Sequence, residues 1–168
     1  MTTASFGPLG LEQASDRARP YRREAVLGEV PVSWNRLQYL QSLAPAGGID
    51  ANVDETARYA LLQLDDGTVF GRRIISAQMM AELHRPEIAV GADWTTAAPI
   101  QNLHYALGWF TAEVRGVHLV YHNGANPGFR AAIVLAPSYK AGVVILTNGE
   151  SNRFTDAATR SLLEQLLR

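Results

Sequence analysis

The chain contains no cysteine, so disulfides, thiol nucleophiles and zinc–thiolate centres are excluded together. Lysine is almost as scarce: Lys140 is the only one, and the other basic side chains are arginines. Any chemistry that requires a lysine base or a Schiff base therefore has one candidate. It lies in Pro137-Ser138-Tyr139-Lys140, a polar stretch that reads as a turn between strands, where a solvated lysine makes a poor base. No apolar run reaches the length of a membrane span. The start, Met1-Thr2-Thr3-Ala4-Ser5, lacks the basic stretch followed by an apolar run that a signal peptide needs, and the compartment is left open. An excess of one charge is missing too. The formal net charge is -1, which gives no electrostatic footprint for nucleic acid or an acidic membrane. Arg17, Arg19, Arg22 and Arg23 cluster, but Asp16 and Glu24 interleave with them, and a solvated loop is the preferred reading over an anion site.

What is present suits a globular protein: 168 residues, 47% hydrophobic and 18% charged, enough for one domain with a core. Residues 1–48 show no sustained period and are rich in Pro, Gly and Arg, as expected of a segment that lies on something else. Pro45-Ala46-Gly47-Gly48 punctuates the chain as a turn. Asn52 followed by Glu55 is a capping-box pattern, and Val53, Ala57, Ala60, Leu61 and Leu64 form an apolar stripe at helical spacing. Asp65-Asp66-Gly67 ends that helix, Gly71 breaks a short extended piece over 68–75, and Ser76 caps a second helix through Leu83, with Met79, Met80 and Leu83 in the core. The stretch from Glu87 to Asn102 reads as loop. Residues 106–114 and 117–123 flank Arg115-Gly116 as a hairpin, and 129–136 and 142–148 form a second one. Gly142-Val143-Val144-Ile145-Leu146 does not alternate, which predicts a strand buried on both faces. Residues 153–168 predict an amphipathic helix with Phe154, Ala158, Leu162 and Leu166 recurring every fourth position, Leu163 and Leu167 beside them. The fold class is α+β: short helices, then an antiparallel β-meander, then a C-terminal helix packed on the sheet.

The densest group of unusual residues is Tyr121-His122-Asn123-Gly124-Ala125-Asn126-Pro127-Gly128-Phe129, placed between two expected strands. Two glycines and a proline in this stretch imply a special turn or a close backbone approach. A histidine at a strand end presents a hydrogen-bonding ring to a ligand, and the neighbouring glycine leaves a backbone N–H open to a developing oxyanion. A polar surface loop with the same composition is the plain alternative. Other chemistries lack support. His118 and His122 share a strand face but lie too far apart to chelate one metal, and His84 and His104 fit no ligand spacing, so neither a metal nor another cofactor is expected. No Gly-x-Ser-x-Gly elbow and no phosphate-binding glycine loop is present, and Asp65-Asp66 reads as a helix-end turn.

His122-Asn123-Gly124 resembles the His-x-Gly variant of the Lys-Thr-Gly strand in the penicillin-recognising serine hydrolases: class C β-lactamases, DD-peptidases and related esterases. Asn126-Pro127-Gly128-Phe129 is similar to that family's continuation. In the same order, Pro45-Ala46-Gly47-Gly48, Ile74-Ile75-Ser76, Tyr105-Ala106-Leu107-Gly108-Trp109 and Val144-Ile145-Leu146-Thr147-Asn148 resemble its "PAGG", "ILSPE", "YGLGW" and "VVLTN" segments, and Met1 to Phe6 is similar to the stretch just downstream of its helical active-site region. The resemblance implies residues 49–168 as the C-terminal part of the β-lactamase-like α/β domain, with 1–48 packing on the other half.

The departures from the family matter as much. No Ser is followed three residues later by Lys, so the family's nucleophilic Ser-x-x-Lys is not in this sequence. Tyr121-His122-Asn123 spells the family's Tyr-x-Asn but overlaps the His-x-Gly strand, and reads as coincidence. Both elements are expected upstream of Met1. By resemblance, His122 contacts a substrate carboxylate or supports the proton network, Gly124 keeps the strand wall clear, the Ala125 N–H is one oxyanion donor, and Asn123 and Asn126 bind substrate. The implied parent hydrolyses an amide, ester, β-lactam or peptidyl substrate through an acyl-serine. His in place of Lys leans toward an esterase or peptidase. The isolated chain is expected to lack activity and to associate with its missing N-terminal half, or with itself, through an open sheet edge. The alternative is a non-catalytic binding or interaction module that kept the sheet wall.

Overall fold

A computed structural model describes residues 3–6, 14–24, 28–31, 44–91 and 100–166. Short strands β1 (Ser5–Phe6), β2 (Tyr21–Glu24), β3 (Gly28–Pro31) and β4 (Ile49–Asp50) come first; β1 pairs with β4, and β2 with β3. Helix α1 (Val53–Leu64), the small hairpin β5 (Thr68–Val69) and β6 (Arg72–Arg73), and helix α2 (Ala77–Leu83) follow. Then come β7 (Ile88–Ala89), β8 (Ile100–Tyr105), β9 (Phe110–Val114), β10 (Val117–Asn126), β11 (Phe129–Ala136), β12 (Ala141–Thr147) and helix α3 (Asn152–Leu166). The last six strands form one antiparallel sheet in the order β12-β11-β10-β9-β8-β7. The α+β class is as the sequence implies, with two more strands in the sheet than the two hairpins supply.

Residues along the central strands alternate between two cores. Leu119, Tyr121, Val134 and Ala136 pack with Leu163 of α3, whereas Val120 and Leu135 pack with Ala60 and Leu64 of α1. The period of two along a strand puts these sets on opposite faces, so the sheet is a middle layer between α1 and α3.

The helix caps form where polar side chains can take the orphan N–H groups. The Asn52 side chain accepts from the Glu55 N–H at 2.9 Å, and the Ser76 hydroxyl accepts from the Met79 N–H at 3.1 Å. The Glu55 carboxylate also accepts from the Thr3 N–H at 2.8 Å, tying the start of the described chain to α1.

Several expectations from periodicity are corrected. Residues 87–102, expected as loop, hold β7 and the first three residues of β8, while 92–99 lie outside the described residues. The first hairpin strand starts at Phe110, not 106, and its partner runs on to Asn126. Strand β12 is not buried on both faces; it is an edge strand, with Leu146 and Gly142 exposed. Met80 is buried but Met79 is exposed. On α3 the buried position is Thr155, with Leu163 packed on the sheet, while Phe154 is 64% exposed and Leu162 faces solvent with it. The side chain of Leu166, and Leu167, lie outside the described residues. On α1 the inward row is Ala60, Gln63 and Leu64, leaving Val53 50% exposed and Leu61 outward. The Pro45–Gly48 turn is a turn of helix, in which the Gly48 N–H donates to the Ala44 carbonyl at 2.9 Å.

Two turns set the sheet's geometry. Arg115 and Gly116 both have positive φ, 54° and 76°, the pattern of a type I′ hairpin turn. Pro127 and Gly128, the latter with φ 78°, suit a type II turn between Asn126 and Phe129. Gly128 is also crowded: an added Cβ would lie 2.3 Å from Pro20 Cβ. Pro20 and Tyr21 run across this turn and onto the end of β12. The Tyr21 N–H donates to the Asn148 carbonyl at 3.0 Å, and the Glu150 N–H donates to the Tyr21 carbonyl at 3.0 Å.

His84, the C-cap of α2, anchors that helix to α1. Its Nε2 lies 2.8 Å from Gln63 Oε1, and its ring meets Trp109 edge-on at 5.7 Å. Burial, then the charge of His118, push its pKa below 6.5, with Asp66 opposing. Tyr59 stacks on the same indole at 6.1 Å, and burial raises its pKa.

Two predictions follow from this packing. Gly116→Ala meets no atom within 4 Å and should cost only the positive-φ strain, about 1–2 kcal/mol. Gly128→Ala should cost about 1–3 kcal/mol more, because Pro20 must move. Equal losses in thermal denaturation of the two variants would show that residue 20 does not rest on the turn. For His84, the unfolded chain binds more protons between the lowered folded value and 6.5. Its contribution is therefore complete above 6.5 and is lost as pH falls. The melting temperature should drop from about pH 7.5 to about pH 5, and His84→Gln should flatten that slope. An unchanged slope in the variant would remove His84 as its source.

Candidate active site

The residues singled out by composition do not form a loop. His122, Asn123, Gly124, Ala125 and Asn126 are the last part of β10, and only Pro127 and Gly128 make the turn. The special feature is one of pairing. Strand β10 pairs with β9 from Val117 to Tyr121, where β9 stops at Phe110. Beyond Tyr121 it pairs with β11 alone, through Asn126↔Phe129. Among the described residues, 122–126 therefore have one strand neighbour and one open side.

The direction of the backbone groups follows from the turns. A two-residue turn closes on a hydrogen-bonded pair, so Val117 directs its N–H and C=O at β9, and Asn126 directs its own at β11. Backbone groups alternate along a strand, and both turns give the same answer: odd-numbered residues face β9 and even-numbered ones face β11. Past the end of β9, the N–H and C=O of Asn123 and Ala125 therefore point into the open side. Ala125 is exposed, and the others of 122–126 are half-buried.

The His122 ring is held on both nitrogens. Nδ1 lies 2.7 Å from the Asn123 carbonyl oxygen, and Nε2 lies 3.2 Å from the Tyr105 hydroxyl. Phe110 packs against it at 5.6 Å, stacks on Tyr121 at 5.3 Å and meets Tyr105 edge-on at 4.7 Å. Tyr121 is itself buried in this stack, its ring packed on Phe110.

Gly124 lies opposite Ala131, and an added Cβ would come 3.2 Å from that methyl, so the glycine has a packing reason as well as an open face. The Asn126 side chain donates to the Gly47 carbonyl at 3.1 Å, joining the turn of helix at 44–47 to the tip of β10. Arg130 braces the same tip: its guanidinium donates to the carbonyls of Phe129 at 2.7 Å and Asn126 at 3.1 Å, and to Asn152 Oδ1 at 2.6 Å. Lys140 is exposed with φ 47°, at the end of a 3₁₀ turn over Pro137–Tyr139, remote in the pairing scheme from the tip of β10. Among the described residues no group of three or more His, Asp or Glu side chains is placed to share a metal ion. Two residues of the site, Tyr105 and Phe110, carry no signal of that role in the sequence. The turn at Gly108 pairs Tyr105 with Phe110, and because β9 begins only at Phe110 the Tyr105 hydroxyl reaches His122 past its end.

Comparison with known proteins agrees with this architecture. A family model described as Beta-lactamase matches residues 1–167. Penicillin-binding protein 4 of Amycolatopsis lactamdurans is 31% identical over 176 residues, covering 96% of this chain and 44% of that protein. The chain thus spans less than half the length of this curated relative. Among solved structures, the octameric penicillin-binding protein homologue from Pyrococcus abyssi superposes with a TM-score of 0.66 at 20% identity, over 86% of this chain and 30% of that one. A penicillin-binding protein from Bacillus halodurans gives 0.60 at 16%, over 87% of this chain and 40% of that one. These two likenesses support the fold alone. On the family match over nearly its whole length, the chain belongs to the Beta-lactamase family.

Proposed function

We propose that this chain supplies one wall of a serine-hydrolase site whose nucleophile, a Ser-x-x-Lys serine, and whose Tyr-x-Asn lie on polypeptide outside this sequence. The observation that carries the reading is the open side of 122–126, where a strand presents backbone donors next to a ring held in one orientation. On this reading the Ala125 N–H is one donor to the oxyanion of the tetrahedral intermediate, and the acylated serine supplies the other. An exposed, outward-pointing N–H is what that role requires. Asn123, whose backbone faces the same side, hydrogen-bonds the substrate. His122 supports the proton network through the hydroxyl on its Nε2 and stands beside the substrate's carboxylate. Gly124 keeps the wall free of a side chain. Asn126 acts at one remove, fixing the tip through Gly47. Substrates are small amides, esters, β-lactams or peptides that acylate serine, with ester or peptide favoured by His122 in place of lysine.

Domain organisation and partners follow the same reading: residues 49–168 form the C-terminal part of the α/β domain, and 1–48 rest partly on further polypeptide. The outer edge of β12 has no strand partner along 141–147 among the described residues. The two helices packed on β12 each expose an apolar row, Val53 and Leu61 on α1, Phe154 and Leu162 on α3. An open edge between apolar flanks favours association, with the remaining half or with another copy. The octameric homologue is a precedent for self-assembly on this fold. A purely binding module is less favoured by the family match.

The test is turnover of a chromogenic cephalosporin and a nitrophenyl ester. The chain alone should give none. Mixed with a polypeptide carrying Ser-x-x-Lys and Tyr-x-Asn from the same gene region, it should give turnover that His122→Ala lowers by about a hundredfold or more. Turnover by the chain alone that survives His122→Ala would sink the assignment. Size-exclusion chromatography with light scattering should show association of the free chain; a clean, stable monomer would count against the β12 edge as an interface.

A further inference from the structure

We propose that Tyr105 is the positioning residue of this site: together with the Asn123 carbonyl it holds His122 as the Nδ1–H tautomer, with Nε2 kept as a hydrogen-bond acceptor. The inference takes its purpose from the hydrolase reading, but its geometry stands apart from it. A carbonyl oxygen only accepts, so the 2.7 Å contact between Nδ1 and the Asn123 oxygen requires a proton on Nδ1. In the neutral ring Nε2 then carries a lone pair, and the partner 3.2 Å away must donate to it. A phenol does so. Neither bond alone fixes the ring: the first could be lost by rotation about the side chain, and the second would accept either tautomer. The two together, with Phe110 against the ring face at 5.6 Å, leave one arrangement.

The arrangement has a consequence for chemistry. Both ring nitrogens are occupied, so the imidazole reaches a substrate through the phenol. When Nε2 takes a proton, the O–H···Nε2 hydrogen bond is replaced by Nε2–H···O, and the phenol hydrogen, still bound to its oxygen, turns away from the ring. Tyr105 thus changes from donor to acceptor toward the ring, and its O–H becomes available to a substrate group. A free histidine on a strand would instead favour whichever tautomer water allowed. Tyr105 sits at the end of β8, where its pairing with Phe110 across the sheet and the ring contact at 4.7 Å keep the phenol from swinging away.

The experiment is a two-bond ¹⁵N–¹H correlation spectrum of the histidine rings in the full chain, above the imidazole titration. Wild type should show His122 as a single Nδ1–H tautomer. Tyr105→Phe, which removes one oxygen and leaves Phe110 its neighbour, should convert this to a mixture of tautomers. Fluorotyrosine labelling of the unmutated chain covers the case in which that variant does not fold: it should move the Nε2 resonance of His122 and leave Nδ1 in place. An Nε2–H tautomer in wild type, or a His122 spectrum untouched by both changes, overturns the proposal. In the reconstituted hydrolase, Tyr105→Phe should lower kcat about tenfold with KM nearly unchanged. Absence of turnover in the reconstituted wild-type hydrolase would tell against the hydrolase reading alone, because the tautomer spectrum of the chain still decides the role of Tyr105.

Discussion

The structure depends on a mismatch in strand length: β10 outlasts β9. Ten residues of β10 face five of β9, and the surplus at 122–126 is held from one side only. Backbone alternation then decides which groups are left over. Because the turns at Arg115-Gly116 and Pro127-Gly128 impose the same parity, the surplus donors are those of Asn123 and Ala125. A shift of register by one residue would have offered His122 and Gly124 instead, and would have turned the His122 ring away from Tyr105. The braces around this tip are correspondingly numerous. Asn126 holds Gly47, Arg130 holds the carbonyls of the turn and Asn152, and Pro20 lies against Gly128. A stretch of strand paired on one side only would otherwise fray, and these contacts restore locally the rigidity that a second neighbouring strand would have given.

Features set by local chemistry were legible in the sequence. Caps at Asn52 and Ser76, the Asp65-Asp66-Gly67 stop and both hairpin turns depend on single residue types at fixed positions, and each stands where those residues place it. Strand β8 was not legible, and its bulge explains why. The register shifts between Gln101 and His104, and Asn102 has φ 53°, so the apolar residues Ile100 and Leu103 are three apart although both pack against the same core. A search for a period of two passes over such a strand. The helices failed differently. Their apolar spacing was real, but spacing does not say which row faces inward. On α1 the inward row holds Ala60 and Leu64 with Gln63 buried beside them, and the amide oxygen has a polar partner in His84 Nε2.

The site was legible in part. Glycines and a histidine drew attention to 121–129, yet the same composition suggested a bend, and a strand that continues through it cannot be told from a loop by residue type. The pairing of Tyr105 with His122 spans 17 positions in sequence and arises only because β8 and β10 flank β9, which is too short to separate their ends. No local pattern encodes that contact. The resemblance to a known family supplied the order of segments, and the sheet supplied the reason they meet.

The chain leaves two long stretches of strand edge open among the described residues, and their surroundings differ in chemistry. Along β12 the open backbone lies between helices that expose Val53, Leu61, Phe154 and Leu162, with Leu146 on the strand itself. Surfaces of that kind gain most by excluding water over a wide area, which a polypeptide partner does and a small molecule does not. At the tip of β10 the flanks include His122 and Asn126, polar groups already oriented by Tyr105, the Asn123 carbonyl and Gly47. Polar groups held in place before a ligand arrives lose little entropy on binding and discriminate by geometry, which is what a site for a small, polar, reactive group requires. On the proposed reading, one fold keeps assembly and recognition apart by placing unlike side chains along two open stretches of strand. The separation fails if either edge changes character, since an apolar tip at β10 would compete for the same partner as β12, and a polar β12 would leave the flanking apolar rows uncovered.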